Sequence, residues 1–410
     1  MDVLFIHPNF PGQFRQLAKR LSKQRGFRVF TLGDESWIGK DNPIPDATHF
    51  TYEAPESYGK ETHPYVRNFE AAVRRGQQVV RRLLKEKYNG FDPAVIYVHP
   101  GWGDGLFLKE IFPDATVVGL FEFYYRAHGA DVGFDPEFPT SLNDLFRVRA
   151  MNTVQLHSLE SCDIRLSPTG WQRSRFPDIY HDSIDVLHEG IETDLVTPAE
   201  NVELTLADGT VLRQGDEVLT YVNRGLDPYR GFHIFMRTLP LVLRARPEAR
   251  VLIVGGDKLH YGPKAPNKLT WRQTLEKELG DRVPWDRVHF AGILSYEDYL
   301  SALRISRAHV YLTYPFVLSW SMLEAMAAEC IVIGSDTPPV REFIKPGKTG
   351  LLVPFFSKEI LATTIISVLS DPVPYRKLAR AARKQIVKTL DFDQVIYPKH
   401  LEMLRRLRGR

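Results

Sequence analysis

The sequence contains little cysteine, little net charge and no long apolar run. Its 410 residues include two cysteines, Cys162 and Cys330, which are too far apart to match a metal-ligand spacing and favour a reduced compartment. No segment reaches the roughly 18 apolar residues that a membrane-spanning helix needs, and the first residues, MDVLFIHP, lack the features of a signal peptide. A net charge of +3 is too small to indicate nucleic acid as a partner. We therefore expect a cytoplasmic protein, with membrane contact at most peripheral, on the inner face.

Two nucleotide-binding motifs are also missing. The chain has no Walker A sequence and no Gly-x-Gly-x-x-Gly, which disfavours P-loop hydrolysis of nucleoside triphosphates and binding of dinucleotides. It offers no obvious carboxylate cluster that would hold a metal ion. We therefore expect neither a metal site nor a bound cofactor.

The order of strand and helix patterns predicts an α/β protein of two doubly wound domains that face each other across a cleft. Short apolar strands alternate with amphipathic helices in residues 1–190 and again in 191–390. Residues 33–62 have the composition of a loop, and a single helix is predicted at Leu142–Leu159. The last helix, at about 390–410, is expected to pack back on the first domain. Ligands of such sheets bind at the carboxyl ends of the strands.

The segment 311–334 carries the strongest site signal. A short strand ends at Pro315, a loop covers 316–320, and a helix is predicted to begin at Ser321. A helix N-terminus at the carboxyl edge of a parallel sheet suits a phosphate. Glu324 has two interpretations: it binds part of a nucleotide sugar, or it completes a capping box in which Ser321 is the N-cap.

Two arginines follow the first strand of the parallel series in the second domain. Arg224 and Arg230 lie six residues apart in a glycine-containing loop. The guanidinium fork of arginine binds phosphate oxygens in pairs, so the two side chains suit a diphosphate. The alternative is that each is ordinary surface charge. Gly255 and Gly256 end the next strand and are expected at the same edge of the sheet.

The first domain also places polar residues after its strands. Gly12 follows the first strand and marks either the close approach of a ligand or a plain turn. His99 and Glu122 each follow a later strand. The connection that begins at Glu122 is rich in aromatic residues and is either a recognition surface or an ordinary surface loop. Its other polar candidates are Arg126, His128 and Asp131.

A long basic helix is predicted at Tyr65–Tyr88. One interpretation is contact with an anionic membrane surface. The other, which we favour, is a solvated helix face.

Two stretches give the sequence a family resemblance. The stretch TYVNRGLDPYRGF resembles the donor-phosphate loop of bacterial family 4 glycosyltransferases, which have the GT-B fold and retain the anomeric configuration. The stretch YPFVLSWSMLEAMAAECIVIGSDTPPVREFI resembles the segment in which that family carries two glutamates eight positions apart. Glu324 matches the second glutamate, which implies that it binds the ribose hydroxyls. Phe316 stands at the first position, so the carboxylate that would hold the donor sugar is missing. The usual glycine-rich turn is replaced by Leu318, Ser319 and Trp320.

The resemblance extends more weakly to the first domain. The stretch HPNFPGQF resembles the family's glycine-containing loop near the leaving phosphate, with Gly12 at the glycine position. Glu122 stands where many members have a histidine that contacts the donor sugar. His128 or Asp131 would then supply that polar contact.

The function implied by the resemblance is metal-independent, retaining transfer of a hexose from a nucleotide diphosphate sugar, with UDP as the first candidate. The acceptor hydroxyl belongs to a lipid, a polysaccharide, a protein or a small molecule. Arg224 and Arg230 would stabilise the departing diphosphate, and Glu122 would act at the reacting centre. Two alternatives stay open: a sugar phosphorylase of the same fold, and a non-catalytic protein that binds a nucleotide or a sugar.

Overall fold

The computed structural model describes residues 1–38 and 44–408. The chain forms two compact units. The first contains Met1–Gly133, Pro139–Gly190 and Phe392–Arg410, and the second contains Phe134–Phe138 and Ile191–Asp391. The last helix of the chain therefore lies in the first unit, and five residues from the first half of the chain lie in the second.

The first unit is built on a parallel sheet of seven strands. They are β1 (Asp2–Ile6), β2 (Arg28–Asp34), β3 (Thr48–Tyr52), β4 (Val95–Val98), β5 (Thr116–Leu120), β6 (Ile164–Ser167) and β7 (Ile184–Val186). Their order is β3-β2-β1-β4-β5-β6-β7, so the direction of strand addition reverses between β1 and β4. A reversal of this kind opens a crevice for a ligand at the carboxyl ends of the two strands.

Helices cover both faces of this sheet. They are α1 (Arg15–Ser22), α2 (Glu35–Ile38), α3 (Arg67–Tyr88), α4 (Leu108–Ile111), α5 (Leu142–Met151), α6 (Thr153–Ser161) and α7 (Gly170–Arg173). Because alternate residues of a strand face opposite sides, Leu4 and Ile6 of β1 pack with Leu83 of α3, while Val3 and Phe5 pack on the other face with α1. Strands buried on both faces are apolar throughout, which is why they were evident in the sequence.

The second unit has a six-stranded parallel sheet and a separate hairpin. The hairpin strands are β8 (Glu203–Thr205) and β9 (Val211–Arg213), and the sheet strands are β10 (Val218–Gly225), β11 (Arg250–Gly256), β12 (Val288–Gly292), β13 (Ala308–Tyr311), β14 (Val332–Ser335) and β15 (Leu351–Val353). The order β12-β11-β10-β13-β14-β15 reverses between β10 and β13. The second crevice therefore lies at the ends of β10 and β13.

The helices of this unit are α8 (Phe232–Ala245), α9 (Trp271–Leu279), α10 (Tyr296–Arg304), α11 (Trp320–Ala327), α12 (Pro338–Phe343), α13 (Lys358–Ser370) and α14 (Arg376–Leu390). The chain ends with α15 (Tyr397–Arg408) in the first unit. Among the described residues, none of the helices is long and apolar enough to cross a bilayer. The predicted fold class is confirmed, since both sheets are parallel and doubly wound.

Two predictions of secondary structure were wrong. Residues 33–62 are not all loop, because they contain α2 and the edge strand β3, although residues 39–43 of that prediction lie outside the described residues. The helix predicted at Leu142–Leu159 is two helices that meet at Asn152. The side chain of Asn152 accepts a hydrogen bond from Tyr125 N (2.9 Å) and donates one to Tyr125 O (2.8 Å), so a tertiary contact is made where the helices meet.

Candidate functional site

Arg224, the last but one residue of β10, is exposed to solvent at the carboxyl end of the strand. The end of the neighbouring strand β11 packs tightly against this end of β10. Gly255 has φ +150°, and a Cβ atom there would lie 2.4 Å from the carbonyl oxygen of Asn223. Only glycine allows the ends of β10 and β11 to approach so closely. Arg224, Gly255 and Gly256 therefore share one edge, as the sequence predicted.

Arg230 is placed differently from Arg224, because its side chain is buried. Its Nη1 donates to Tyr311 Oη (3.2 Å), to Thr313 Oγ1 (2.9 Å) and to the carbonyl oxygen of Val317 (2.8 Å). Arg230 thus holds the segment that follows β13 in place. One guanidinium nitrogen is committed to the protein, so Arg230 does not present an open fork as the sequence suggested.

Phe316, at the position of the missing carboxylate, is also buried. Its ring packs edge-on against Tyr229 (5.4 Å between centroids) and Tyr261 (5.0 Å), and the Arg230 guanidinium carbon lies 5.8 Å from its centroid. Phe316 is therefore part of an aromatic cluster that encloses Arg230. Only 4% of the Phe316 surface is exposed, so the residue that replaces the carboxylate offers little area to a sugar.

Helix α11 begins at Trp320, and its N-cap is Ser319, whose hydroxyl accepts a hydrogen bond from Ser321 N at 3.3 Å. The backbone N–H of Ser319 donates to Tyr311 Oη at 2.8 Å, and Leu318 is buried in the core of the unit. Trp320 is partly exposed. The prediction that Ser321 is the N-cap was wrong, because the helix starts one residue earlier. The capping-box interpretation of Glu324 fails with it.

Glu324 is instead held by two tyrosines of α10. Tyr296 Oη donates to its Oε1 (2.8 Å), and Tyr299 Oη donates to its Oε2 (2.6 Å). Burial, together with the negative charge of Glu324, raises the pKa of Tyr299 well above its usual value, so this hydroxyl remains a donor. Sequence reasoning missed both tyrosines. The available signal was their spacing, since residues three apart on a helix point to the same side.

In the first unit, polar side chains converge at the crevice between β1 and β4. Gln13 Nε2 donates to Glu122 Oε1 (2.9 Å), and His99 Nε2 lies 3.5 Å from Glu122 Oε2. The ring of His7 lies 5.5 Å from that of His99. Burial, reinforced by His99, lowers the pKa of His7 to about 3, so His7 is neutral at neutral pH. His7 and Gln13 were not predicted from the sequence.

Glu122 is ionised in this cluster. Burial alone would raise its pKa, but the neighbouring His99 and the hydrogen bond from Gln13 outweigh it, and the pKa is lowered. Gly12 supports the arrangement, because it has φ +46° and a Cβ atom there would lie 2.7 Å from the ring of His7. A side chain at position 12 would displace His7.

The three polar candidates in the connection after Glu122 have different surroundings. Arg126 donates from Nε to Arg175 O (2.6 Å) and from Nη2 to Phe176 O (2.8 Å), so it ties two backbone segments together. His128 is exposed and Asp131 is buried.

Two family models match the chain. The model described as Glycosyl transferase family 4 group matches residues 26–196, and the model described as Glycosyl transferases group 1 matches residues 205–385. The chain belongs to the family 4 glycosyltransferases.

Individual relatives agree with this assignment. The family 4 chain is 28% identical over 193 residues to phosphatidyl-myo-inositol mannosyltransferase of Mycolicibacterium smegmatis, covering 45% of each chain. It thus spans about half the length of the curated relatives it matches. Among solved structures, sucrose-phosphate synthase from Thermosynechococcus elongatus has a TM-score of 0.75 at 17% identity, covering 100% of this chain and 99% of the other. Anabaena Alr3699/HepE in complex with UDP-glucose has a TM-score of 0.65 at 14% identity, covering 99% and 100%. At such identities the structural likeness concerns the fold alone.

One group of side chains in the described part of this family 4 glycosyltransferase has metal-ligand geometry. Ligand atoms of Asp135, Glu137 and His233, all in the second unit, lie within 4.8 Å of one another. Asp135 Oδ2 already accepts hydrogen bonds from Tyr314 Oη (2.5 Å) and His233 Nε2 (3.0 Å). The Glu137 carboxylate binds Arg237 at 2.6 and 2.9 Å. We place no metal there, because Tyr314, His233 and Arg237 already bind the two carboxylates.

Several basic side chains of helix α3 form ion pairs within the first unit. Arg74 binds Glu70 at 2.6 Å, and Arg75 lies 3.1 Å from Asp34 Oδ2. Arg82 pairs with Glu86 one turn away. These contacts agree with the solvated-face interpretation of the helix rather than with a membrane-binding one.

Proposed function

We propose that this protein transfers a hexose, with retention of anomeric configuration, from a nucleotide diphosphate sugar to an acceptor hydroxyl. The observation that supports this most is the arrangement at one edge of the second sheet. An exposed arginine, a glycine-lined strand end, a helix N-terminus and a carboxylate held by two tyrosines lie near the strand reversal of this sheet, in the part of the chain that matches the model described as Glycosyl transferases group 1.

We assign the donor contacts as follows. Arg224 binds the diphosphate, because its side chain is exposed at the crevice and the guanidinium fork matches phosphate oxygens. Gly255 and Gly256 allow the ligand to approach the backbone closely. Glu324 accepts hydrogen bonds from the ribose hydroxyls in this assignment. Arg230 is a positioning residue in this scheme, since it fixes the loop after β13.

The chemical step follows from the charges. The acceptor oxygen forms a bond to the anomeric carbon as the bond from that carbon to the diphosphate oxygen breaks, and the departing diphosphate takes the acceptor proton. Arg224 stabilises the negative charge that grows on the diphosphate. The ionised Glu122, held by Gln13 and His99, is suited to stabilise the positive charge of an oxocarbenium-like centre. No metal is needed in this scheme.

UDP is the nucleotide we propose first, because the structural neighbour from Anabaena is described with UDP-glucose. Calorimetric titration of the purified protein with UDP, GDP, ADP and TDP, without added metal, tests the proposal. Micromolar binding of one of them, followed by transfer from its sugar conjugate, is the expected result. Binding of none would overturn the donor assignment and bring the phosphorylase and non-catalytic alternatives forward.

We further propose that the first unit contacts a membrane surface, where the enzyme binds its acceptor. The first unit exposes Leu142 and Phe146 on α5 and Val66 before α3, with 65%, 51% and 46% of their surfaces accessible. Tyr65 joins the two elements through a hydrogen bond to Asn143. Exposed apolar groups of this size suit a membrane surface, and α5 also carries Arg149, whereas its Arg147 is paired with Asp144 at 3.1 Å.

A further inference from the structure

A pocket of about 660 Å³ opens at the amino-terminal edge of the second sheet. Its walls include Asp216 before β10, Arg307 before β13 and Ile331 before β14, together with the first turns of α14. Arg224, Gly255 and the start of α11 lie at the opposite, carboxyl-terminal edge. A molecule in this pocket would therefore be distinct from the donor. The volume is typical of a small-molecule site.

Two of the arginines that line the pocket form no ion pair within the described part of the chain, whereas Arg304, which also lines it, donates to the carbonyl oxygens of Thr197 (2.9 Å) and Leu195 (3.0 Å). Arg376 and Arg380 are exposed one turn apart on α14, and no carboxylate among the described residues lies within 4 Å of either. Like charges at this spacing repel each other. Arg383, in the next turn, is different: it donates to the carbonyl oxygens of Val196 (2.9 Å), Thr193 (3.3 Å) and Ala327. Arg383 therefore has a structural role that Arg376 and Arg380 lack.

A third guanidinium faces the same space. Arg307 Nη1 lies 3.8 Å from Glu217 Oε1, which is beyond hydrogen-bond distance. Glu217 is already neutralised by Arg246, whose Nε lies 2.9 Å from Glu217 Oε2. Arg307 thus retains donors for a ligand. Three guanidiniums around one pocket favour a phosphate group, whose oxygens match the planar fork of arginine.

The pocket also contains acceptors. Glu200 and Glu329 line it, whereas the carboxylate of Asp216 accepts a hydrogen bond from Arg213 N at 2.8 Å in its own turn. A bare phosphate would leave Glu200 and Glu329 unused and would be repelled by them. A ligand that carries hydroxyl groups beside its phosphate would donate hydrogen bonds to these carboxylates.

We propose that this pocket binds a sugar phosphate at a site separate from the donor. Arg307, Arg376 and Arg380 hold the phosphate, and Glu200 and Glu329 accept hydrogen bonds from the sugar hydroxyls. The proposal does not depend on the transfer activity, because the residues involved belong to the opposite edge of the sheet.

Calorimetry with glucose 6-phosphate, inorganic phosphate and glucose tests the proposal on the full chain. Glucose 6-phosphate should bind at least tenfold more tightly than phosphate, and glucose should not bind. The double variant R376Q/R380Q should lose at least tenfold in affinity for glucose 6-phosphate and keep its affinity for UDP. The matched control K377Q/K384Q removes two exposed charges of the same helix that do not line the pocket, and it should behave as the parent.

A third variant, Glu329→Gln, tests recognition of the sugar hydroxyls separately from recognition of the phosphate. It should weaken glucose 6-phosphate binding and leave phosphate binding unchanged. Equal binding of glucose 6-phosphate by R376Q/R380Q and the parent would overturn the site, as would displacement of glucose 6-phosphate by UDP. Phosphate that binds as tightly as glucose 6-phosphate would overturn the sugar part of the proposal.

Discussion

The hydroxyl of Tyr299 donates a 2.6 Å hydrogen bond to Glu324, and the buried tyrosine stays protonated because its pKa is raised. The bond fixes the carboxylate, in the middle of α11, in one orientation. If Glu324 binds a ribose, this orientation is prepared before the nucleotide arrives.

The first prediction concerns this pair. Glu324→Gln should weaken binding of UDP, or of whichever nucleotide binds, by at least tenfold, since a hydrogen bond to a charged acceptor contributes about 1.5–3 kcal/mol. Tyr299→Phe should weaken it by a few fold, because the carboxylate stays but loses its orientation. Calorimetry measures both effects. Tyr375→Phe, at a half-buried tyrosine of the same unit, is the control, and equal affinity in all variants would contradict the ribose assignment.

The two arginines of the donor loop should respond in opposite ways. Arg224→Ala should leave the melting temperature unchanged, because the side chain is exposed, and should weaken nucleotide binding about 10- to 100-fold. Arg230→Ala should destabilise the fold by about 1–3 kcal/mol, because the buried oxygens that it binds lose their donor. Thermal melts with calorimetry distinguish the two. Arg250→Ala, an exposed arginine at the other edge of the sheet, is the control, and a lower melting temperature for Arg224→Ala would contradict the assignment.

Much of the fold was predictable because its strands are buried on both faces. Strand β3 was missed because only alternate residues, such as Phe50 and Tyr52, are buried, and the surrounding segment has the composition of a loop. The break at Asn152 was missed because it coincides with a contact to Tyr125, distant in sequence. Patterns along one element cannot show such contacts.

The sequence predicted where the candidate site lies in the fold, but not which of its side chains are buried or what they bind. Arg224 and Glu324 were located because the carboxyl ends of parallel strands meet at one edge. The burial of Arg230 was not evident, because it depends on Tyr311 and Thr313 of a different strand end. The partners of Glu324 were missed for the same reason, since they come from α10.

A third prediction addresses the polar cluster of the first unit. Glu122→Gln should lower the rate of sugar transfer at least 100-fold and leave nucleotide affinity unchanged, because the lost charge matters only when positive charge develops on the sugar. His99→Gln should have a smaller effect, since Gln13 still holds the carboxylate. The measurement is kcat together with the dissociation constant of the nucleotide. Equal activity of Glu122→Gln and the parent would remove Glu122 from the mechanism.

A fourth prediction tests the membrane surface. The double variant L142S/F146S should lose binding to vesicles that contain anionic lipid, because it removes the two most exposed apolar side chains of α5. Ile179→Ser is the matched control, since this side chain is 83% exposed elsewhere on the first unit. Co-sedimentation with vesicles of phosphatidylglycerol and phosphatidylcholine measures the binding. If Ile179→Ser causes the same loss, or if the parent does not bind, the proposed surface is wrong.

The last prediction concerns acid stability. Burial lowers the pKa of His309 from 6.5 to about 4, and the same cause lowers the pKa of His188 and His400 to about 4. Between pH 6.5 and about pH 4 these histidines are protonated in the unfolded chain and neutral in the folded chain. The free energy of unfolding should therefore fall as the pH drops below 6.5. Each histidine contributes up to about 1.4 kcal/mol per pH unit.

Urea unfolding at pH 7.5, 6.0 and 5.0 measures this loss. His309→Gln should reduce its slope by about 1.4 kcal/mol per pH unit, because the titrating group is gone while an amide can still bond to Thr220. His63→Gln, at an exposed histidine, should keep the parent's slope. A slope that does not change in His309→Gln would show that another group controls acid unfolding. Because the loss begins at the pKa of the unfolded chain, it should already be visible at pH 6.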